Sequence, residues 1–318
     1  MPSPSIPNPY PIELTPPDLS AYASGNTGIP YVWTFASGAP GPRVVVTAIV
    51  HGNEPCGAIA LDWLMRRAFR PLSGRLTLAF ANVAAYEAFD QADPYASRWV
   101  DEDFNRVWSD AVLDGGRDSV ELRRARQIRP IIASADRLLD LHSMQSPAPP
   151  LALSGWPQQG RRLAREIGVP ATIVADRGHR AGSRMRDYGA FGEEGAEPAA
   201  LLVECGQHWQ AAAADLAKAA TARFLAATGL ATPDFPAEAP WPAPAQTLLE
   251  VTEAVTVATD DFRFERPFTG GETLAAGDLI GRDGDREIRA PYGDCVLIMP
   301  TRRLWPGQTA VRLARRVG

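Results

Sequence analysis

Histidine and glutamate side chains end three short apolar segments of this 318-residue sequence, at positions where a buried core would disfavour them. His51 and Glu54 follow the first segment, His142 ends the second and Glu204 ends the third. Catalytic zinc commonly takes two histidines and one carboxylate from the protein and keeps a fourth position for water. We therefore predict that His51, Glu54 and His142 bind one Zn2+ ion per chain.

Glu204 is the carboxylate that this prediction leaves free to act beside the metal. A carboxylate in that place can take a proton from activated water and pass it to a leaving group, so Glu204 is the predicted catalytic base. Gly52 lies between the first two ligands and is expected to allow the sharp turn that brings both to one ion. Asp140 stands two residues before His142, and strand alternation leaves open whether it contacts that ligand or turns away.

The elements that must position these residues follow from the apolar pattern. Strands are expected at 43–50, 76–81, 137–141, 151–154, 171–175 and 199–203, and helices at 55–70, 119–134, 158–168 and 210–228. Strands that alternate with helices predict an α/β fold with a mixed, mostly parallel sheet flanked by helices. Ligands of open α/β sheets bind at the carboxyl ends of the strands, so three strands that end in polar residues point to one site.

The composition changes along the chain and divides it into four parts. Residues 1–30, rich in Pro, Ser and Gly, are predicted to form an irregular leader, and residues 31–230 to form the zinc-dependent catalytic domain. Five prolines fall within residues 231–246, which is typical of a linker. Residues 247–318 alternate in the manner of strands between glycine-rich turns, so a small all-β domain is predicted there.

Composition and charge exclude several classes of protein. Apolar residues make up 45% of the sequence, which is enough to form a core. The formal net charge of −5 does not suggest the basic face that a nucleic-acid-binding protein needs. The apolar runs are short and interrupted, and the first residues lack the pattern of a signal peptide, so no membrane association is predicted. Three widely spaced cysteines do not suggest a disulfide framework. A soluble cytoplasmic protein is therefore expected.

The order of these motifs resembles the aspartoacylase and succinylglutamate desuccinylase family, whose fold is similar to that of the zinc carboxypeptidases. The family pattern begins with His51-Gly-Asn-Glu54 and continues about ninety residues later with Asp140-Leu-His142. The other matched motifs are Arg98, Asp103-Phe104-Asn105-Arg106 and Val203-Glu204-Cys205-Gly206. The resemblance covers residues 43–210. Beyond them, 290–294 and 299–300 look like parts of the barrel-sandwich domain of bacterial members.

The resemblance implies a zinc metallohydrolase that deacylates a small compound carrying a carboxylate, such as an N-acyl amino acid. Arg98 would then polarise the scissile carbonyl and stabilise the oxyanion. Asn105 and Arg106 would bind the substrate carboxylate, for which a planar guanidinium offers two parallel donors. A further substrate-contacting arginine is expected in the basic loop before the Glu204 strand. The sequence does not choose among Arg180, Arg184 and Arg186.

The remaining singled-out residues receive other interpretations. His179 is expected to be a solvated loop residue, and His208 to cap or pack at the start of the last helix. Cys56 is expected to pack within a helix. The resemblance also suggests Tyr292 as a substrate contact, although its surroundings match the sandwich turn better.

Several alternatives stay open at this level. The bond cleaved is an amide or an ester, and the acyl and leaving groups are undetermined. A zinc carboxypeptidase that trims peptides would use the same fold and metal. A non-catalytic metal-binding module is a third reading, although structural zinc usually takes four protein ligands. The sequence also does not decide whether the C-terminal β domain gates the site or mediates formation of a homo-oligomer.

Overall fold

The computed structural model describes residues 8–179 and 181–317, and Arg180 therefore lies outside the described residues. The strands are β1 Val32–Ala36, β2 Arg43–Ala48, β3 Arg75–Phe80, β4 Arg137–Met144, β5 Leu151–Leu153, β6 Thr172–Ala175, β7 Ala199–Gln207, β8 Thr247–Thr256, β9 Arg263–Phe264, β10 Thr273–Leu274, β11 Leu279–Asp283, β12 Arg286–Arg289, β13 Cys295–Ile298 and β14 Thr309–Val317. The helices are α1 Pro55–Arg66, α2 Val83–Glu87, α3 Asp110–Leu113, α4 Val120–Ala133, α5 Gln158–Ile167 and α6 Ala211–Ala227. Single-turn 3-10 helices lie between several of these elements.

A mixed sheet forms the centre of the fold, in the strand order β1-β3-β2-β4-β7-β5-β6-β8-β14-β13-β10. Strands β3, β2, β4 and β7 run parallel to one another. Their nearly continuous apolar sequences are typical of strands that are covered on both faces, and every residue of β7 is buried. The predicted fold class, a mixed and mostly parallel sheet flanked by helices, is confirmed.

Local sequence signals explain where the helices near the site begin. Helix α1 starts at Pro55, whose missing N–H costs nothing in the first turn. Helix α4 starts after Ser119, whose hydroxyl accepts a hydrogen bond from the Leu122 N–H at 3.0 Å. Helix α1 packs against α6 on one face of the sheet. The start of α1 therefore fixes the position of Glu54, which immediately precedes it.

The C-terminal strands continue the central sheet. Strand β8 pairs in parallel with β6, and β14, β13 and β10 follow it in antiparallel order. Strands β12, β11 and β9 form a second, three-stranded sheet. The all-β character expected for residues 247–318 is present through residue 317, while the boundaries of the leader, linker and domains stay predictions.

None of the helices in the described ranges is both long enough and apolar enough to cross a membrane.

Candidate metal centre

The register of the parallel strands brings the predicted residues together at one edge of the sheet. His142 on β4 lies directly beside Glu204 on β7, and Thr47 on β2 lies beside Asp140 on β4. The loop after β2 then carries His51 and Glu54 over the same edge. Three distant segments of the chain thus meet at the carboxyl ends of adjacent strands, as expected for a ligand site of an open α/β sheet.

His51, Glu54 and His142 form one buried cluster. The Nδ1 atom of His51 lies 2.8 Å from Oε1 of Glu54, and the Nδ1 atom of His142 lies 2.9 Å from Oε2 of Glu54. One ligand atom from each residue lies within 4.8 Å of the others. All three side chains are almost completely buried. This set could hold a metal ion, as the spacing of the three residues predicted.

Two further carboxylates hold the opposite nitrogens of the imidazole rings. Asp103 lies 3.0 Å from Nε2 of His51, and Asp140 lies 2.9 Å from Nε2 of His142. The Thr47 hydroxyl in turn donates to Asp140 at 2.7 Å. Metal-ligating histidines are usually oriented by such carboxylates. The donor set therefore fits a divalent cation, with both Nδ1 atoms turned toward Glu54, and the question left open for Asp140 is answered.

The electrostatics of the cluster also fit a cation site. Burial opposes ionisation of Glu54, but His51 and His142 hold its pKa well below the usual range. Burial likewise opposes protonation of His142, yet Asp140 and Glu54 hold its pKa well above the usual range. The site thus favours positive charge between these side chains. Without a metal ion this positive charge is a proton on an imidazole ring, and a metal ion that binds the ring nitrogen displaces that proton.

Glu204 lies beside the cluster, and its carboxyl group differs from that of Glu54 in its contacts and its pKa. Its carboxyl group is buried, and its Oε2 atom has no hydrogen-bond partner among the described residues. Burial, together with the charge of Glu54, raises the pKa of Glu204 to about 8. A buried carboxyl group with an unused oxygen and a raised pKa is suited to accept and release a proton near neutral pH.

Arg98 links the cluster to the loop that precedes Asp103. Its guanidinium donates to Glu54 at 3.2 Å and to Asp103 at 3.3 Å. The backbone of this loop is held by Glu121 of α4, which accepts N–H groups of Val100, Asp101 and Glu102. Sequence reasoning missed Glu121. Its only local sign is a charged residue on the buried side of an amphipathic helix, which is a weak signal without the fold.

Asn105 and Arg106 reach the same cavity from the turn after Asp103. The Oδ1 atom of Asn105 accepts the Met185 N–H at 2.8 Å, which holds the side chain in place. Arg106 donates to the Asn105 carbonyl at 2.7 Å, and its Nη2 atom lies 3.8 Å from Asp103. A guanidinium held on one side in this way retains donors for a ligand in the cavity.

The structure distinguishes between Arg184 and Arg186 of the basic loop, a choice that the sequence left open. Arg184 lines the cavity and pairs with Asp176 at 2.5 and 2.8 Å. Arg186 is fully buried outside the cavity lining and donates to the carbonyls of Ser154 and Ala200. Arg184 is therefore the described member of this set that faces the site.

Other cavity residues were interpreted differently or missed. His179 lines the cavity rather than open solvent, and burial lowers its pKa to about 3. His208 is buried, as expected for a packing residue, but it also lines the cavity and contacts the Ser143 hydroxyl at 2.9 Å. Arg303 and Arg312 reach the cavity from the C-terminal region, which no local pattern indicated. Tyr292 instead contacts Thr252, outside the cavity lining.

Gly52 is needed for a different reason than predicted. The left-handed residue of this turn is Ile49, with φ of 53°, whereas Gly52 does not adopt a positive φ. A Cβ atom on Gly52 would lie 2.2 Å from the Ala85 carbonyl carbon and 2.5 Å from the Ser97 oxygen. The close approach of these backbones, rather than conformational freedom, excludes a side chain here.

Gly52→Ala is therefore expected to destabilise the protein by about 1–3 kcal/mol, the usual cost of forcing extra volume into a packed site. Denaturant unfolding measures this loss. Gly116→Ala is the matched control, since a Cβ atom there meets nothing within 4 Å. Equal stabilities of the two variants would show that the backbone around Gly52 yields without cost.

Comparisons with known proteins show which proteins this chain resembles. The family model of the succinylglutamate desuccinylase/aspartoacylase catalytic domain matches residues 40–228. Succinylglutamate desuccinylase from Vibrio parahaemolyticus is 18% identical, with a TM-score of 0.68 over 91% of this chain and 87% of that chain. A succinylglutamate desuccinylase/aspartoacylase from Rhodobacter sphaeroides is 19% identical, with a TM-score of 0.64 over 90% and 89%. The product-bound ectoine utilization protein of Ruegeria pomeroyi is 17% identical, with a TM-score of 0.62 over 89% and 87%. No curated protein matches the chain.

Proposed function

The chain belongs to the succinylglutamate desuccinylase/aspartoacylase family, and from this premise we propose that it is a zinc-dependent hydrolase of a small N-acyl amino acid or a related acyl compound. The observation that carries the proposal is the buried His51, Glu54 and His142 cluster with the partner-free carboxyl oxygen of Glu204 beside it. The scissile bond is an amide in this proposal, and an ester of the same shape would fit the same groups.

His51, Glu54 and His142 would hold the zinc ion, since their ligand atoms already converge. A zinc ion there supplies Lewis acidity, which polarises a carbonyl group and lowers the pKa of water toward neutrality. Asp103 and Asp140 hold the two imidazoles through their Nε2 atoms, so that both rings keep their orientation during turnover.

Glu204 handles the proton in this mechanism. Its carboxylate removes a proton from the attacking water and later delivers it to the leaving nitrogen, which must depart as an amine. The raised pKa of Glu204 supports the second step, because a carboxyl group with that property holds a proton more readily at neutral pH. The burial of the side chain also limits the access of bulk water to this proton.

Arg98, Asn105 and Arg106 orient the substrate. Arg98 donates to Glu54 at 3.2 Å, and this nearness to the cluster supports a role for its guanidinium in stabilising the negative charge that would develop on the carbonyl oxygen. Asn105 and Arg106 line the cavity and bind the carboxylate of the amino acid. Binding of that carboxylate fixes the scissile carbonyl between the cluster and Glu204.

A substrate screen tests the proposal. Zinc-loaded protein is expected to hydrolyse one or more N-acetyl or N-succinyl amino acids, with release of the free amine as the readout. Short peptides with free carboxyl termini, assayed beside them, measure carboxypeptidase activity. Hydrolysis of peptides in preference to every N-acyl amino acid would replace the proposal by the carboxypeptidase reading. A zinc-loaded protein that turns over neither class would favour a non-catalytic metal-binding module.

A further inference from the structure

The side chain of Glu121 is fully buried, and its carboxylate is satisfied by N–H groups rather than by a cation. In the part of the chain that the structure describes, it accepts four N–H groups and forms no ion pair. Its place in the first turn of α4 adds the favourable field of the helix N-terminus. A buried carboxylate is still costly to desolvate, and an apolar side chain would suit the interior better. The role of this charge is therefore to be sought in the groups that it binds.

Three of these hydrogen bonds attach the loop 98–103 to α4. The N–H groups of Val100, Asp101 and Glu102 donate to the two oxygens of Glu121 at 2.7, 3.0 and 3.2 Å. The bonding is reciprocal, because the Asp101 carboxylate accepts the first N–H group of α4 at 2.7 Å. Three consecutive N–H groups that share one buried carboxylate have no water to replace it, so the loop backbone is fixed relative to the helix.

The fourth hydrogen bond connects Glu121 to the segment that carries the first metal ligand. The Asn82 amide donates to Glu121 at 3.0 Å, and the Asn82 backbone N–H donates to the Ile49 carbonyl at 3.0 Å. Ile49 is the left-handed residue of the turn that leads to that ligand. In the same turn the Gly52 N–H donates to the Arg98 carbonyl at 3.2 Å. The ligand turn and the loop 98–103 are thus held together around one carboxylate.

Both ends of the loop 98–103 act on the metal centre. At one end Arg98 donates to Glu54 at 3.2 Å, and at the other Asp103 lies 3.0 Å from Nε2 of His51. The three N–H groups that Glu121 binds lie between these two ends. A misplacement of about 1 Å at a catalytic group can cost about 10^2-fold in rate. Movement of the loop would therefore displace a guanidinium and a ligand-orienting carboxylate together.

We propose that Glu121 is a positioning residue of the metal centre, which fixes the loop 98–103 so that Asp103 orients a metal ligand and Arg98 reaches the substrate. Glu121 itself is neither among the three converging ligands nor in the cavity lining. Its effects are therefore exerted through those two residues. The part of this inference that concerns Arg98 rests on the proposed function, whereas the part that concerns Asp103 is about metal affinity and needs no turnover.

Glu121→Gln tests the proposal with the smallest change of shape. The new NH2 group cannot accept the N–H groups of the loop, so part of the attachment is lost. Zinc binding is expected to weaken about 10-fold, the lower end of the effect usual for losing a partner that orients a ligand. The kcat for the best acyl substrate should fall about 10- to 100-fold as Arg98 is displaced. Glu166→Gln, at an exposed glutamate of α5, is the control and should change neither value.

Double-mutant cycles distinguish positioning from a general loss of stability. If Glu121 acts through Asp103, then Glu121→Gln should weaken zinc binding much less in protein that already carries Asp103→Asn. If it acts through Arg98, it should likewise lower kcat much less in protein that carries Arg98→Ala. A role confined to stability would add its full effect in both backgrounds. Additive effects in both cycles, or a Glu121→Gln variant with unchanged zinc affinity and kcat, would overturn the proposal.

Zinc affinity, measured by competition with a chelator and without substrate, separates this inference from the proposed function. Weaker zinc binding that is not additive with Asp103→Asn would support the positioning role even if no acyl compound were hydrolysed. The melting temperature shows whether each variant is folded. If Glu121→Gln does not fold, Asp101→Ala replaces it, since this exposed residue binds only the other side of the same attachment. A smaller loss of zinc affinity is then expected, and an unchanged affinity would overturn the proposal.

Discussion

Replacing Glu204 with glutamine is expected to lower kcat for the best N-acyl amino acid by roughly 10^2- to 10^4-fold, the range that a positioned general acid–base contributes. Glutamine keeps the size of the side chain and its place on β7 but cannot accept a proton. Zinc binding should be nearly unchanged, because Glu204 is not among the three converging ligands. Steady-state kinetics and zinc content of the same preparations measure both expectations.

Glu197→Gln provides the matched control for this substitution. Glu197 is exposed and lies just before the start of β7, so the same substitution there leaves the cavity untouched. Activity of the Glu204→Gln variant within a few-fold of the control would remove Glu204 from the chemistry. Loss of zinc together with loss of activity would instead mean that Glu204 is a ligand rather than a base.

Replacing His142 with alanine is expected to weaken zinc binding by more than about 100-fold, which exceeds the effect usual for losing a partner that only orients a ligand. The substitution removes one of three ligand atoms and leaves the buried carboxyl groups of Glu54 and Asp140 without their shared ring. Activity should fall in parallel, and added zinc should restore it only at much higher concentration. Competition with a chelator of known affinity measures the change.

His179→Gln is the control for the loss of His142. His179 lines the same cavity, yet its ring contacts Thr309 at 3.4 Å rather than the three converging ligands. Zinc affinity of this variant should match that of the unchanged protein. If His142→Ala retained full zinc affinity, the cluster would not be the metal site, whatever the activity of the protein.

Much of the site could be predicted because short apolar strands end abruptly in polar residues. The runs before His51, His142 and Glu204 are each long enough to indicate one buried strand, and parallel strands of one sheet place their carboxyl ends together. Local patterning also places the helices closely, as Pro55 and Ser119 mark the starts of α1 and α4. Strand ends and helix starts depend on residues that are close together in the chain, so they can be predicted from one sequence.

Other parts of the site depend on contacts that sequence spacing does not encode. Arg303 and Arg312 reach the cavity only because β8 pairs with β6 and carries the C-terminal strands onto the same sheet. Nothing in the residues around either arginine indicates that pairing. The role of Gly52 likewise became visible only with the backbones of Ala85 and Ser97 beside it. Long-range strand order and close backbone approach are properties of the folded chain.

Anomalous diffraction at the zinc absorption edge, from crystals of the zinc-loaded protein, tests the central claim most directly. The account predicts one strong peak per chain, with the Nδ1 atoms of His51 and His142 and the carboxylate of Glu54 at about 2.0–2.2 Å from it. A zinc peak elsewhere in the chain would contradict the account. So would zinc-saturated crystals in which these three side chains still hydrogen-bond to one another with no ion between them.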